Sequence, residues 1–438
     1  MSARTILVVG AGAAGLTAAI RAGEAGARVT CLNAHPRVGL KILMSGGTRC
    51  NVTHREVSER DFHGGSPNVV RRVLRAFTPA QTIDWFRNQL GVPLKLEETG
   101  KYFPESNDAQ TVLDALLAAA ERAGVTLRNG ARVVRLERSG TAWRAGLQPV
   151  RGSVEFGEGT ARAGETAWPL PAVAPSEWLE ADAVVLATGG LSFPRTGSDG
   201  TGFALAAALG HAIVPPVPAL TPLAAADPLC RACQGVTLEA ELTLWIEGGR
   251  EVAVRGSFLF AHFGYSGPAA LDLSRHWLRA EGRERRVTVS FVPGGSAEAE
   301  LAAWLSAAGE EPKRPVRRHL SQWLPARLAD ALCAEAGVEP GAQIAQVARE
   351  PRARLIELLT ARVLPVSGTL GYEKAEATAG GVELSEVDPS TLESRKCTGL
   401  YLCGEMLDVD GRLGGFNFQF SWSSGTVAGR AAASRSIP

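Results

Sequence analysis

The chain has 438 residues, enough for roughly two to four domains with sizeable buried cores. Its 45% apolar and 21% charged residues are those of a globular protein, and a formal net charge of +1 gives no reason to expect nucleic acid or an anionic membrane as a partner. Seven cysteines, an odd number spread thinly, argue against a disulfide framework and for reduced thiols in a cytoplasmic setting, and no apolar run approaches the ~20 residues of a membrane span.

In chain order, Thr5–Val9 is a β-branched, apolar run ending at Gly10, the pattern of a fully buried parallel strand. The Ala-rich segment Ala13–Ala25 predicts a helix stopped by Gly26, and Arg28–Leu32 a second strand, giving a βαβ unit with a right-handed crossover. Helical patterns follow at 68–77, 79–90 and 108–123, the last with Asp108 as N-cap. Residues 125–182 alternate strand-like pieces with Gly and Pro and hold Trp143, Trp168 and Trp178, as an antiparallel meander would. Ala183–Ala187 returns to a buried-strand pattern. From 213 to 293 β-type runs dominate around a helix near 268–281, and 297–362 is helical throughout. Gly399–Cys403 is a last buried strand, and 414–433 a turn into a C-terminal helix.

Buried strands ending in glycine at 10, 189 and 404, with none between, imply an α/β domain built from both chain ends. The expected boundaries are 1–200 with 372–438 for that Rossmann-like domain, 201–296 with 363–371 for an inserted β-rich, barrel-like domain, and 297–362 for a small helical subdomain. The basic run 313–318 is expected to be a solvated face.

Five stretches carry chemistry. Gly10-Ala-Gly12-Ala13-Ala14-Gly15 follows a strand and opens a helix: the first glycine permits the turn, the second lets backbone approach a pyrophosphate, and the third lets helix and strand pack. The second strand ends at Asn33, where a dinucleotide fold usually has an acidic residue for the ribose hydroxyls. An amide oxygen accepts without charge, so FAD, NAD and NADP all remain open. The loop KILMSGGTRCNVTH supplies Lys41, Gly46, Arg49, Cys50 and Asn51. It has Cys50 but Arg55 where a Cys-x4-Cys pair would need its second thiol, so dithiol chemistry is not expected. Ala187-Thr188-Gly189-Gly190 ends a strand where a dinucleotide would lie. Gly404, Glu405, Asp410, Gly414, Gly415, Phe416 and Asn417 combine acidic residues with a Gly-Gly turn into a helix whose N-terminus favours negative charge. Cys230 and Cys233 form a CxxC with no second pair nearby, so no metal site is expected.

The combination resembles the two-dinucleotide-domain flavoproteins. More narrowly, KILMSGGTRCNVTH, YFPESNDAQTVLDAL, ATGGLSFPRTGSDGTGFALAAALGH, LFAHFGYSGPAALDLS and GLYLCGEMLDVDGRLGGFNFQFSWSSGTVAG resemble the BaiN-like (aminoacetone-oxidase-like) FAD-dependent oxidoreductases, over about residues 4 to 433. The resemblance implies FAD, with the three glycines of the first turn at the pyrophosphate, Val133 meeting the adenine through its backbone, Thr188 and Gly189 approaching from the sheet, and Lys41 to Asn51 and Glu405 to Asn417 at the flavin end. Asn33 departs from the family's Glu.

The expected activity is transfer of hydride through flavin N5 to a small organic substrate, with NADH or NADPH as a transient donor in a site lacking a second GxGxxG. Arg195, His262 and Tyr265 are the candidate proton-transfer residues by type and position. Two rivals stand beside this: a fumarate-reductase-like dehydrogenase with Arg195 as proton donor, and a non-catalytic flavin-binding redox module. Oligomeric state is not legible.

Overall fold

The computed structural model describes residues 3–150 and 170–434. The chain divides into two compact units, one formed by residues up to Pro218 together with those from Glu376, the other by Ala219–Ala375. Residues 201–218, expected in the insert, thus belong to the first unit. None of the helices among the described residues is long and apolar enough to cross a membrane.

The first unit is organised by a five-stranded parallel sheet. In spatial order its strands are Leu400–Leu402, Ala183–Leu186, Thr5–Val9, Arg28–Asn33 and Thr126–Asn129. Val8 lies opposite both Cys31 and Val185, and Leu186 opposite Leu402. The central strands are buried on both faces, which is why they read as continuous apolar runs. The last strand comes from the far end of the chain, some 390 residues after the first, so the sheet cannot assemble from local sequence alone. The meander is present as Ala131–Ser139, Ala142–Pro149 and Glu177–Ala181, antiparallel throughout. Trp143 is buried and donates its indole N–H to Thr398 O at 3.2 Å. Trp168 lies outside the described residues.

The first helix, Ala13–Glu24, packs lengthwise against the C-terminal helix, Phe416–Ala433. The close approach is made by glycine. A Cβ on Gly425 would collide with Ala14 O, and one on Gly429 with Ala18 O. Small residues at this spacing let two helix backbones nearly touch, and they fix how the phosphate turn sits relative to the C-terminal motif.

In the second unit a seven-stranded antiparallel sheet runs Arg362–Leu364, Arg285–Ser290, Thr237–Ile246, Gly249–Ala261, Gly264–Ser266, Leu223–Ala225 and Val366–Thr369. Its two edge strands are halves of one run split at Pro365, so one segment bounds the sheet on both sides. The helical stretch 297–362 has no separate core: Trp304, Leu328 and Leu355 belong to the same hydrophobic cluster as Leu242, Phe258 and Val289.

Candidate functional site

The site begins where the first strand turns into the first helix. Gly10 holds φ at +106°, and a Cβ there would collide with Ala187 O. A Cβ on Gly15 would overlap Gly10 O. Gly12 is different: nothing lies within 4 Å of where its Cβ would be, so its side is open. Gly12 is also the N-cap and provides no side-chain cap, leaving the first N–H groups of the helix, at Ala13, Ala14 and Gly15, without intrahelical partners. Two glycines closed by packing and one open to a ligand is the arrangement a pyrophosphate requires.

Ala187-Thr188-Gly189 lies against this turn. Ala187 N donates to Val9 O at 2.9 Å, and Gly189, at φ +76°, would bring a Cβ within 2.9 Å of Ser198 Oγ. Val133 is buried in the meander at a register shift. Asn33 is 9% exposed at the end of its strand. Its Nδ2 donates to His35 O at 2.6 Å, Arg37 O at 3.1 Å and Asn129 Oδ1 at 3.2 Å. The amide thus organises the turn that follows it and keeps only its carbonyl oxygen for a ribose hydroxyl.

The loop KILMSGGTRCNVTH proves partly helical. Leu40–Thr48 forms helical turns broken at Ser45–Gly47, where Gly46 and Gly47 take φ of +56° and +65°. Cys50, at φ +59°, is fully buried, and burial pushes its thiol up to about 12. Such a thiol carries almost no thiolate near neutrality. Cys230 is likewise pushed up to about 12 by burial, and Cys233 is raised for the same reason. Arg49 pairs with Glu97 at 2.7 Å and lies 4.0 Å over the Phe103 ring.

Lys41 joins three of the sequence motifs. Its ammonium donates to Ser192 Oγ at 2.7 Å and to the Glu405 carboxylate. Glu405 Oε1 also accepts from Ser192 Oγ at 2.7 Å and Thr378 N at 2.9 Å. Thr378 Oγ1 in turn accepts from the N–H groups of Leu191 and Ser192 at 2.8 and 3.1 Å. Neither Ser192 nor Thr378 was singled out from sequence. Ser192 stands two residues beyond the Gly189-Gly190 pair and could have been found by following that loop. Thr378 has no motif around it.

Gly404 packs on the first helix, where its Cβ would come 2.7 Å from that of Ala14. Asn417 closes the next loop, accepting from Gly411 N at 2.8 Å and donating to Gly411 O at 2.9 Å. Asp410 is buried opposite His63 in a two-stranded ladder. Phe416 is buried between the stacked His54 ring, 4.9 Å away, and the Arg412 guanidinium at 4.3 Å. Gly415, the N-cap of the C-terminal helix, offers no side-chain cap, and Gly414 precedes it at φ +139°. Beside Gly415, Asn51 Oδ1 is buried with no hydrogen-bond partner among the described residues; a Cβ on Gly415 would come within 2.7 Å of it. An open phosphate turn at one end, with an uncapped helix N-terminus and an unsatisfied buried amide oxygen at the other, fits FAD.

The three proton-transfer candidates belong to different units: Arg195 to the first, His262 and Tyr265 to the second. Arg195 is exposed on the turn Pro194–Thr196 of the first unit. His262 is exposed in the turn between two strands of the second unit. Tyr265, in the same unit, is fully buried and donates to Asp227, which also accepts two bonds from Arg362, at 2.7 and 3.1 Å. Burial and the Asp227 carboxylate raise the Tyr265 phenol far above its usual range, so in this geometry it is a core hydrogen-bond donor.

The family model for the HI0933-like protein Rossmann domain matches residues 4–149 and 165–431. The chain belongs to this family. It therefore has a mixed α/β architecture with a Rossmann-like FAD-binding fold, and it is an FAD-binding oxidoreductase by family. It is 32% identical over 434 residues to a 3-dehydro-bile acid delta(4,6)-reductase from Clostridium scindens, covering 98% of each chain. It is also 32% identical to a ribosomal RNA dihydrouridine synthase from Escherichia coli, covering 95% of each. The second name means that a net charge of +1 does not decide the question of a nucleic-acid partner. Among solved structures, a 3-ketosteroid-delta4-(5alpha)-dehydrogenase from Rhodococcus jostii aligns with 98% of this chain at 16% identity, with a TM-score of 0.47.

Proposed function

We propose that the protein reduces a carbon–carbon double bond conjugated to a carbonyl, using FAD and taking electrons from NADH or NADPH in the cytoplasm. The observation that carries the reading is the convergence of Lys41, Ser192, Thr378 and Glu405, which joins three of the sequence motifs. The names of the relatives support it. A delta(4,6)-reductase acts on a dienone and a dihydrouridine synthase on the uracil ring; in both the reduced bond is in conjugation with a carbonyl.

FAD, when bound, would supply two-electron hydride chemistry, with NADH or NADPH as the reductant, the conjugated double bond as the acceptor and a proton from solvent or a side chain completing the reduction. The Gly10–Gly15 turn would bind the pyrophosphate, and the remaining Asn33 oxygen a ribose hydroxyl. Lys41 holds the Glu405 carboxylate in place. The N–H groups at the start of the C-terminal helix favour negative charge at the flavin end. Arg195 and His262 are the proton donors compatible with exposure to a substrate.

The test is anaerobic. Protein reconstituted with FAD should bleach on addition of NADH or NADPH and regain its yellow colour on addition of 2-cyclohexenone or a uridine-containing RNA. Bleaching without recovery on either acceptor, but with recovery on fumarate, would overturn the proposal.

A further inference from the structure

Beside the flavin-end loop lies a surface rich in arginine. The short strand Phe62–Gly64 pairs with Val409–Gly411, and Gly411 is locked to Asn417 at the start of the C-terminal helix. Just before this strand is the turn Glu59–Asp61, and just after it the helix Pro67–Ala76, which packs on the C-terminal helix. That helix is strongly amphipathic. Val70, Val73 and Leu74 are buried, while Arg72 and Arg75 are exposed on the opposite side. Residues three apart on a helix stand about 5–6 Å apart at Cβ, so Arg72 and Arg75 leave the same face of the helix.

The acidic groups of this surface are already engaged. Glu59 accepts from Arg71 at 2.8 Å, and that bond holds its carboxyl down to about 2. Asp61 accepts from Arg412 at 2.7 Å and from the Ser58 N–H at 2.8 Å. Three exposed cations remain, Arg60, Arg72 and Arg75, and none of them forms an ion pair among the described residues. Arginine matches phosphate with a planar fork of donors, and several unpaired arginines on one face match a run of phosphates better than they match a single small anion.

We propose that Arg60, Arg72 and Arg75 form a phosphate-binding face for a single-stranded RNA substrate whose target base enters at the flavin-end loop. The inference rests on the uracil-ring form of the proposed function. Unstacked single strands are the RNA form whose bases can be presented to a site, and backbone contacts position such a strand without reading its sequence.

The test measures fluorescence anisotropy of a labelled oligouridylate of about twelve nucleotides on the FAD-loaded protein over a salt series. Three phosphate contacts predict a log–log salt slope of roughly −2. The double variant Arg72→Glu, Arg75→Glu should bind at least about tenfold more weakly, with a slope shallower by roughly 1.4. Its flavin absorbance and its turnover of neutral 2-cyclohexenone should be unchanged, which shows that it is folded. A control double variant in the second unit, Lys313→Glu with Arg318→Glu, should bind as the parent does. Wild-type protein that fails to bind the oligomer, an unaffected arginine variant, loss only in the control variant, or competition by uridine monophosphate as effective as that of the oligomer would each overturn the inference. Loss of the proposed function reads differently: binding follows the salt prediction, yet neither RNA nor cyclohexenone reoxidises the reduced protein.

Discussion

Lys41 and Glu405 are 364 residues apart in sequence and form a direct ion pair whose side chains are 25% and 18% exposed. Through Ser192 and Thr378 the pair fastens the 41–54 loop, the Gly189-Gly190 loop and the C-terminal motif to one another. Partial exposure weakens its Coulombic worth, but the additional hydrogen bonds to Glu405 make removal of one partner costly, because the other would remain half-buried and unpaired. Glu405→Gln should therefore lower the melting temperature by a few degrees, corresponding to about 1–2 kcal/mol. Lys41→Met combined with Glu405→Gln should cost less than the sum of the single changes. Thermal melts of the four proteins give the coupling directly, and strict additivity would mean the pair is incidental.

The glycines of the first turn should separate folding from binding. Gly15→Ala drives a Cβ into Gly10 O, where backbone cannot give way, so a loss of about 3 kcal/mol or more and poor recovery of folded protein are expected. Gly12→Ala meets no protein atom, and Gly12 has an ordinary φ of −86°. That variant should melt like the parent without FAD yet bind FAD at least tenfold more weakly, as titration of the apoprotein will show.

Much of this site was legible because its determinants are local. A glycine needed for a turn or a close approach leaves its mark at one position, and a strand buried on both faces announces itself as an apolar run. Thus Thr5–Val9 and Ala183–Leu186 lie where the pattern placed them. Determinants that act through tertiary contact leave no such mark. Thr378 is an ordinary strand threonine until the fold brings it to Leu191 and Glu405. Nor does the sequence disclose that the amide N–H groups of Asn33 are engaged by the His35 and Arg37 carbonyls.

That engagement carries its own prediction. Asn33→Asp restores the acidic residue common at this strand end, but it turns a carboxylate toward two carbonyl oxygens and removes their donor. Apoprotein stability should fall by about 1–3 kcal/mol, and FAD affinity should not improve. A tighter FAD complex with unchanged apoprotein stability would show that Asn33 does not organise the turn.

Cys50 should be chemically quiet. Cys50→Ala is expected to keep both its flavin and its turnover, and native protein at pH 8 should resist iodoacetamide at this position while urea-unfolded protein reacts, as peptide mass mapping can show.

Acid should destabilise the fold through buried histidines. His211 accepts the Ser394 hydroxyl at 2.9 Å and bonds Glu386 at 2.8 Å, and His319 packs between Trp304 and Trp323. Burial lowers both below the usual histidine range, against the raising effect of Glu386 in the first case. The unfolded chain takes up these protons near pH 6.5 while the folded chain refuses them. Stability is therefore fully present above that value and is lost as pH falls through it. Melting temperature should drop between pH 7 and 5, and it should drop less steeply in His211→Gln, measured at constant ionic strength.

The proposed function requires that both chain ends build one FAD site that serves reduction of a conjugated double bond. It is tested most directly by following flavin absorbance in a single anaerobic cuvette through reconstitution, reduction and reoxidation. The expected result is a yellow complex that bleaches with NADH or NADPH and recovers its colour in proportion to added enone or uridine-containing RNA. A protein that stays colourless with excess FAD, or that bleaches and is reoxidised by neither acceptor, would contradict it.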